Sequence, residues 1–489
     1  MSEVAQNFLH TALQQLACHF TWDLKKEDIT LDDLEDRISD QIEFLFTKSK
    51  FTSYNLLAYA KYLKGQNEEA LESLRNAEEE IQMYSKGEAE TRHLVIWGNR
   101  AWIHYHMGNL AKAQNYVDRV ERMCSKLSSP HRYKVERPEI FCEEGWALLK
   151  FGGKHYERAK VCFEKALEQE PDNPEFNSGF AITVYRLDNL DRQNHFGKCF
   201  SLEPLRQAVR LNPGDSYVKV LLALKLQDLQ KEAEGEKYIQ ETLDEHSSSP
   251  YVLRYAAKFY RRKGCVDTSL ELLQKALKIT PKSAFLNHQI GLCYRAQMIE
   301  IKQAANYKPQ GTNKEKMKKL VRSAIFHFEL TLEQRPNFIF AKIVLASMYA
   351  ELGEHEKADD IFQKILQMEK MEDTDKQAAH LYYGRFQEFQ MKSESNALIH
   401  YVKGLKITKD SEVNEKLKTL VQKIAKKRLR QNTSDSESLG LLGFVHQLQG
   451  EIKEAIDCYQ KALKLDPTND EYFSALCLLQ LKIKAQAFD

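Results

Sequence analysis

Aromatic and basic residues recur at spacings that place them together on one face of a helix. Trp146 and Lys150 are four residues apart, and Arg254, Lys258 and Arg262 repeat that spacing. Residues four apart project from the same side of an α-helix, so each set forms one surface. A surface of cations and rings suits single-stranded nucleic acid, because cations follow the phosphates and rings stack on bases. These residue types therefore predict a polyanion-binding face.

The same residues also have plainer structural roles. Trp146 can pack between helices, and the basic side chains can pair with acidic neighbours such as Glu143, Glu144 and Glu175. His288 falls on the same predicted face, although a single histidine on a helix is more often a hydrogen-bonded structural residue than a ligand. The spacing alone leaves both interpretations open.

The helices that must position these residues belong to a repeated unit, which is clearest between Cys142 and Asn173. Gly145 marks a close approach of two helices, Gly152 ends the first helix, and Pro171 ends the second. A pair of this length cannot bury its apolar stripe alone, so neighbouring copies must stack on it. The pattern recurs roughly nine times along the chain and is that of the tetratricopeptide repeat. We therefore predict an all-α, superhelical solenoid of tetratricopeptide repeats with a central basic channel.

The predicted organisation has four parts. Capping helices occupy residues 1–50, an N-terminal repeat subdomain 51–246, a middle subdomain 247–424, and a final repeat with a capping helix 425–489. Proline and glycine within Ile299–Lys319 predict a basic, mobile loop there. The basic run Ala425–Asn432 is predicted to be a solvated helix face, with nuclear targeting or RNA contact as alternatives.

Composition narrows the class of protein. The 489 residues carry a net charge of +1 and nine cysteines, none in a C-x-x-C pair. Scattered single cysteines indicate reduced thiols and a cytoplasmic or nuclear location, and no apolar run is long enough to span a membrane. No phosphate-binding glycine loop, H-E-x-x-H or G-x-S-x-G motif occurs. We therefore predict a protein that is not an enzyme and uses no metal or cofactor.

Several long segments resemble the interferon-induced proteins with tetratricopeptide repeats. They include ACHFTWDL, CEEGWALLKFGGKHYERAKVCFEKALE, YVLRYAAKFYRRKG and HQIGLCYRAQMI, and the resemblance covers almost the whole chain. It implies a cytoplasmic antiviral effector that grips the 5′ end of single-stranded RNA and keeps foreign RNA from translation. The RNA would carry a triphosphate, or a cap whose first ribose lacks its 2′-O-methyl group, and we expect this chain to accept both.

The resemblance also implies roles for individual residues. Those expected to contact the RNA 5′ phosphates and the adjoining channel are Arg37, Gln41, Lys150, Tyr156, Arg186, Tyr217, Tyr251, Arg254, His288 and Gln289. Those expected to enclose a cap base are Leu45, Thr47, Trp146, Glu175 and Ile182. Position counting adds Lys258 and Arg262 as a hypothetical extension of the channel.

The last repeat suggests a second role. Tyr459 and Leu463 share a helix face and resemble the family's C-terminal association motif, which implies binding to itself or to other family members. A tyrosine there is also ordinary repeat packing. The alternative function is a protein-binding scaffold without RNA end recognition. The lysine and asparagine pair of chaperone-docking repeats is absent, since those positions read Cys142 and Trp146, or Arg254 and Lys258.

Overall fold

The computed structural model describes residues 3–29, 31–44, 50–82, 86–190, 200–245, 249–369, 371–407 and 411–486. These residues form helices and connecting turns, with no strand among them. The chain divides into two compact units, residues 1–293 and 294–489. The boundary lies inside one helix, α15 (Ala284–Ala304).

The helices of the first unit are α1 (Glu3–Leu13), α2 (Leu31–Phe44), α3 (Lys50–Leu63), α4 (Asn67–Ile81), α5 (Lys86–His106), α6 (Leu110–Lys126), α7 (Pro138–Phe151), α8 (Tyr156–Gln169), α9 (Pro174–Leu190), α10 (Leu202–Leu211), α11 (Ser216–Asp228), α12 (Glu232–Glu245), α13 (Pro250–Lys263) and α14 (Val266–Ile279). The helices of the second unit after α15 are α16 (Gly311–Gln334), α17 (Ile339–Leu352), α18 (His355–Leu366), α19 (Asp373–Phe389), α20 (Glu394–Leu405), α21 (Glu412–Gln431), α22 (Ser436–Gln449), α23 (Ile452–Leu465) and α24 (Asp470–Gln486).

The predicted repeat is confirmed in the hairpin of α7 and α8. Gly145 faces the ring of Phe163, where a Cβ would come within 3.0 Å of the ring carbons. Gly152 ends α7 with φ of 104°, a backbone conformation that favours glycine. Phe163 is fully buried and packs with Cys142, Ala166 and Phe176. The pairs α3–α4, α5–α6, α11–α12 and α13–α14 pack in the same way, as do the pairs α17–α18, α19–α20 and α22–α23.

One hairpin, α11 with α12, has no clear signature in the sequence. Residues 218–226 of α11 are all buried, so the helix has no polar face and no amphipathic stripe. In α12, position 235 has room only for glycine, because a Cβ there would come within 2.7 Å of the Ala223 carbonyl oxygen. A helix that neighbours surround on every side cannot be recognised from periodicity.

The predicted mobile loop at Ile299–Lys319 is wrong over most of its length. Helix α15 continues to Ala304 and α16 begins at Gly311, which leaves only residues 305–310 between them. The lysines after Gly311 therefore lie on the exposed side of a helix. The charge and spacing of these lysines are compatible with the first turns of an amphipathic helix as well as with a loop.

The basic run Ala425–Asn432 lies at the end of α21. Lys427 and Arg428 both donate to Glu394, and Arg428 also pairs with Glu437 at 2.9 Å. These pairs are those of an ion-paired surface, which agrees with the predicted solvated helix face. The predicted division of the chain into four parts stays a prediction.

Candidate anion-binding site

Four cations from four different helices of the first unit act on one another. Arg37 comes from α2, Lys150 from α7, Arg186 from α9 and Arg254 from α13; we call them the cationic cluster. Arg37 Nη2 donates to the Lys150 carbonyl oxygen at 3.3 Å. Burial, and then the charges of Arg37, Arg186 and Arg254, lower the pKa of Lys150 to about 7. Because each arginine contributes to the shift at Lys150, the four charges lie close to one another.

Lys150 has no carboxylate partner among the described residues. Its ammonium donates to Gln41 Oε1, and its Nζ lies 5.8 Å from the ring centroid of Trp146. Gln41 is one helical turn after Arg37 on α2, so both side chains reach the same side of the site. Four neighbouring cations, of which Lys150 has no carboxylate partner among the described residues, form an arrangement that attracts a polyanion.

Tyrosine hydroxyls hold Arg186 in place. Arg186 Nη2 donates to the hydroxyl oxygens of Tyr217 at 2.9 Å and Tyr255 at 3.2 Å. Tyr217 and Tyr255, and more weakly Tyr156, raise the pKa of Arg186 well above its ordinary value. Tyr156, the first residue of α8, thus lies near Arg186 as the resemblance implied.

Aromatic rings surround Arg254. Its guanidinium carbon lies 4.1 Å from the ring centroid of Tyr251, 4.9 Å from Tyr255 and 5.1 Å from Phe285. The Tyr251 hydroxyl donates to the carbonyl oxygen of Arg37 at 3.3 Å. Stacked rings orient the guanidinium. The Asp40 carboxylate and the Tyr255 hydroxyl also act electrostatically on Arg254.

Tyr255 is a site residue that the sequence analysis missed. It is buried, and burial raises its pKa, but Arg186 and Arg254 outweigh burial and lower the pKa of Tyr255 to about 6. Its position next to Arg254 on α13 was the available signal. A ring that touches two arginines helps to set their relative position.

His288 and Gln289 lie on α15, one turn after Phe285. Both are buried, the Gln289 amide contacts His288 Nδ1 at 3.2 Å, and Gln289 Oε1 accepts from Arg261 at 3.2 Å. Phe285 links this helix to the cationic cluster through Arg254. The two residues therefore stand beside the cluster, with a contact to a further arginine.

A second group of predicted residues adjoins the cluster. Trp146 is half-buried and meets the Phe163 ring edge-on, with centroids 5.4 Å apart. Glu175, Ile182 and Arg186 recur at spacings of seven and four along α9, so they share one helix face. This face and the Trp146–Lys150 face of α7 form what we call the base pocket. Leu45 and Thr47 lie outside the described residues.

Behind Glu175 lies a buried polar group that the sequence analysis did not identify. Arg92 pairs with Glu175 at 3.8 Å and stacks over Phe51 at 4.6 Å. Burial raises the pKa of Glu143 to about 8, and Asn55 donates to its Oε1 at 2.6 Å. At neutral pH Glu143 is therefore mostly protonated and uncharged. Glu175 is then the carboxylate that pairs with the Arg92 guanidinium.

The remaining predicted residues differ in their surroundings. Lys258 acts on Tyr255 and so lies near the cluster, whereas Arg262 pairs with Asp228 at 2.8 Å. Tyr459 is buried, packs on Tyr472 and donates to Gln447 at 3.2 Å, which is the ordinary packing role. Leu463 is half-buried on the same helix.

Fold and site together define a tetratricopeptide-repeat protein that gathers cations from several repeats. The sequence model of the tetratricopeptide repeat matches residues 147–173, 341–370 and 436–469. The chain belongs to the family of interferon-induced proteins with tetratricopeptide repeats. Human antiviral innate immune response effector IFIT1 is 58% identical over 456 residues, covering 93% of this chain and 95% of the relative. Human interferon-induced protein with tetratricopeptide repeats 2 is 47% identical over 469 residues, covering 95% and 97%.

Solved structures agree with this assignment. A monomeric mutant of IFIT1 with Gppp-AAAA superposes with a TM-score of 0.87 at 56% identity, covering 94% of this chain and 100% of the other. A human IFIT1 dimer with PPP-AAAA gives 0.82 at 54% identity, covering 94% and 99%. Among the described residues of the present chain, no helix is long and apolar enough to cross a membrane.

Proposed function

We propose that this protein binds the 5′ end of non-self single-stranded RNA in the cationic cluster and blocks translation of that RNA in the cytoplasm. The ligand carries a 5′ triphosphate, or a cap that lacks 2′-O-methylation of the first ribose. The protein thereby acts as an antiviral effector of innate immunity. It binds its ligand without catalysing a reaction on it.

The observation that carries this proposal is the convergence of four cations from four helices, in which Arg37 Nη2 donates to the Lys150 carbonyl oxygen at 3.3 Å. Burial, and then Arg37, Arg186 and Arg254, oppose protonation of Lys150, whose ammonium donates to Gln41 and has no carboxylate partner among the described residues. A triphosphate concentrates several negative charges over a length that such a cluster can surround. Because the site is shielded from solvent, attraction between the cluster and the phosphates is stronger than at an open surface.

Known relatives support the chemistry of the ligand. The IFIT1 structures with PPP-AAAA and Gppp-AAAA place a triphosphate or a capped end on a protein 54–56% identical to this one. In the present chain we assign phosphate and channel contacts to the residues implied above and to Tyr255. We assign stacking on the cap base to Trp146 and contact with the base edge to Glu175, with Ile182 closing the pocket. Methylated guanine is cationic, which favours an aromatic face.

Binding of one short RNA with four different 5′ ends tests the proposal. The ends are a triphosphate, a cap with a free 2′-hydroxyl, a ribose-methylated cap and a bare hydroxyl. We expect tight binding to the first two and a loss of affinity as salt rises. Equal, weak binding to all four would favour the alternative, a protein-binding scaffold.

A pair of arginine variants separates the site from general electrostatics. Arg186→Gln should weaken triphosphate binding by about 10- to 100-fold, because it removes charge-assisted hydrogen bonds. Arg100→Gln makes the same change in charge on α5, where Arg100 pairs with Glu78 at 2.7 Å. We expect Arg100→Gln to change affinity less than about twofold, as for a charge remote from the phosphates. Similar losses in both variants would contradict the assignment.

We also propose that the protein associates with itself or with family members through its last repeat. Leu463 is partly accessible there, and exposed Leu465, Phe473 and Leu481 lie on the same and the following helix. Human IFIT1 is a dimer in its structures with m7Gppp-AAAA and with PPP-AAAA. An apolar surface of this kind is typical of an interface.

A further inference from the structure

The surroundings of Lys150 give its amine an unusual chemical character. Arg37, Arg186 and Arg254 oppose its protonation, and the amide oxygen of Gln41 accepts from it without supplying a negative charge. Because the residue is half-buried, only a small reagent is a candidate for reaction with its amine. Its neutral amine therefore carries a free lone pair beside three guanidinium groups.

Two other lysines have the carboxylate partner that Lys150 lacks among the described residues. Lys154 is four residues further along the chain, its side chain is 72% exposed, and it pairs with Asp28 at 3.1 Å. Lys225 is buried, with 11% exposure, and pairs with Asp188 at 2.9 Å. Each of these lysines therefore has a carboxylate partner. Lys150 differs from both because its nearest charged groups include three arginines and no carboxylate among the described residues.

We propose that Lys150 is an acylation site for acyl phosphates. The guanidinium groups of the cationic cluster hold the phosphate group, and the Lys150 nitrogen attacks the adjacent acyl carbon. A C–N bond forms as the C–O bond to phosphate breaks. Inorganic phosphate leaves with the bonding electron pair and stays paired with the arginines, while the amine proton passes to solvent. The products are an N-acyl lysine and phosphate, with no oxidant or further cofactor involved.

The modification has a consequence for the proposed function, on which this part of the inference rests. An acylated Lys150 carries no charge and has one N–H in place of three. The RNA 5′ phosphates would then meet a smaller positive charge and an added acyl group in the same space. Acylation of Lys150 would therefore lower affinity for RNA, and a bound RNA would protect the amine.

Acetyl phosphate tests the proposal on the unmodified full chain. The protein is incubated with it at pH 7.5, and acetylation at each lysine is followed by mass spectrometry. A pKa near 7 in place of the ordinary 10.4 raises the neutral fraction by about 500-fold at this pH, and lower basicity offsets part of that gain. We expect Lys150 to react at least about tenfold faster than exposed Lys154, and buried Lys225 to stay unmodified. Equal or slower reaction at Lys150 would overturn the proposal.

Two further arms identify the cause. The rate at Lys150 should level off above pH 8, and a rate that keeps rising there would contradict the proposal. Replacing acetyl phosphate by N-acetoxysuccinimide, which has no phosphate, should lower the ratio of Lys150 to Lys154; an unchanged ratio would contradict phosphate capture. Tripolyphosphate should suppress reaction at Lys150 alone. RNA binding by unmodified protein is measured separately, so failure of RNA recognition and failure of acylation are distinguishable.

Discussion

At the residue scale, the charge of Lys150 depends on whether a ligand is bound. Without ligand, burial and three arginines lower its pKa to about 7, so about half of the molecules carry a neutral amine at that pH. Phosphates bring negative charge to the site and favour the ammonium form. Binding above pH 7 is therefore linked to uptake of a proton.

This linkage predicts the pH dependence of RNA affinity. Below pH 6 the Lys150 ammonium is present already, and affinity should not depend on its titration. From pH 7 to 9 the free protein loses that proton, and affinity should fall, by up to about tenfold per pH unit. The experiment uses capped RNA, because a terminal phosphate has a pKa of its own near 6.

Lys150→Arg is the matched control for this titration. Arginine keeps its charge throughout the range, so the affinity of the variant should fall less steeply between pH 7 and 9 than that of the wild type. Tyr255 is present in both proteins, so any pH dependence that it contributes is common to both and cancels in the comparison. Parallel slopes in the two proteins would mean that Lys150 is not the titrating group.

At the element scale, α5 positions the base pocket without lining it. Arg92 on this helix connects Phe51 on α3 to Glu175 at the start of α9. Glu143 on α7 is held neutral by burial and accepts from Asn55. Residues from three repeats thus fix the orientation of the Glu175 carboxylate. In the proposed site, a change in that orientation would weaken contact with the cap base and leave the contacts to a triphosphate unchanged.

We predict that Arg92→Met weakens capped RNA about 5- to 30-fold, which corresponds to loss of about 1–2 kcal/mol. Triphosphate RNA should bind within about twofold of the wild-type affinity, because its phosphates meet the cationic cluster. Arg100→Met is the control on the same helix, since Arg100 also pairs with a glutamate and faces an aromatic ring. Parallel losses for both RNAs would indicate a general effect on folding.

Helix packing makes a separate prediction at Gly179 on α9. A Cβ at this position would overlap the ring of Phe163, which is fully buried between α7, α8 and α9. Gly179→Ala should destabilise the protein by about 1–3 kcal/mol, because the ring must move in a closely packed interior. The displaced ring also contacts Trp146, so capped RNA should bind more weakly than triphosphate RNA.

Gly214→Ala is the control for this change. The nearest atom to a Cβ there is the Asn212 side-chain oxygen at 3.6 Å, an ordinary contact. Thermal unfolding should place Gly214→Ala close to the wild type and Gly179→Ala clearly below it. A Gly179→Ala protein as stable as the wild type would mean that the helices separate at little cost.

The sequence predicted the elements better than the contacts between them. Glycines 145 and 152 identified a hairpin because a close approach and a positive φ each demand glycine. Helix α11 was not predicted, because it is buried on every side. Its sequence therefore lacks the periodic spacing of apolar and polar residues that identifies an amphipathic helix. The spacing of Trp146 and Lys150, and of Arg254 and Lys258, identified a basic face, and family resemblance supplied Arg186. Arg92 could not be found, because its partner Glu175 lies on another repeat and only the fold brings them together.

At the scale of the molecule, a chain of net charge +1 contains a strongly cationic site. The two facts agree because 70 acidic residues balance 71 basic ones over the whole chain, and some basic residues outside the site are ion-paired, as Lys263 with Glu236 and Lys302 with Glu351. A neutral surface limits non-specific attraction to RNA, while the cluster keeps its charge for a 5′ end. In the proposed function, selectivity for RNA ends therefore depends on which basic residues are ion-paired, and it depends little on the net charge of the chain.

Association through the last repeat should depend on Leu463 more than on Tyr459. Tyr459 is buried and faces Gly443 and Tyr472, so a charge there would unfold the repeat and remove any interface indirectly. Leu463 is partly accessible, so Leu463→Glu should shift the protein toward monomer in sedimentation experiments while its melting temperature stays near the wild type.

The charge-matched control is Ile399→Glu on α20, where the side chain is 51% exposed in the same unit. It adds an identical charge to an exposed apolar position outside the last repeat, and should leave the oligomeric state unchanged. Monomer formation in both variants would point to net charge as the cause, and an intact oligomer in Leu463→Glu would place the interface elsewhere. RNA end binding should survive Leu463→Glu, because every residue of the cationic cluster belongs to residues 1–293. If monomers lose RNA binding as well, association and recognition are coupled in this protein.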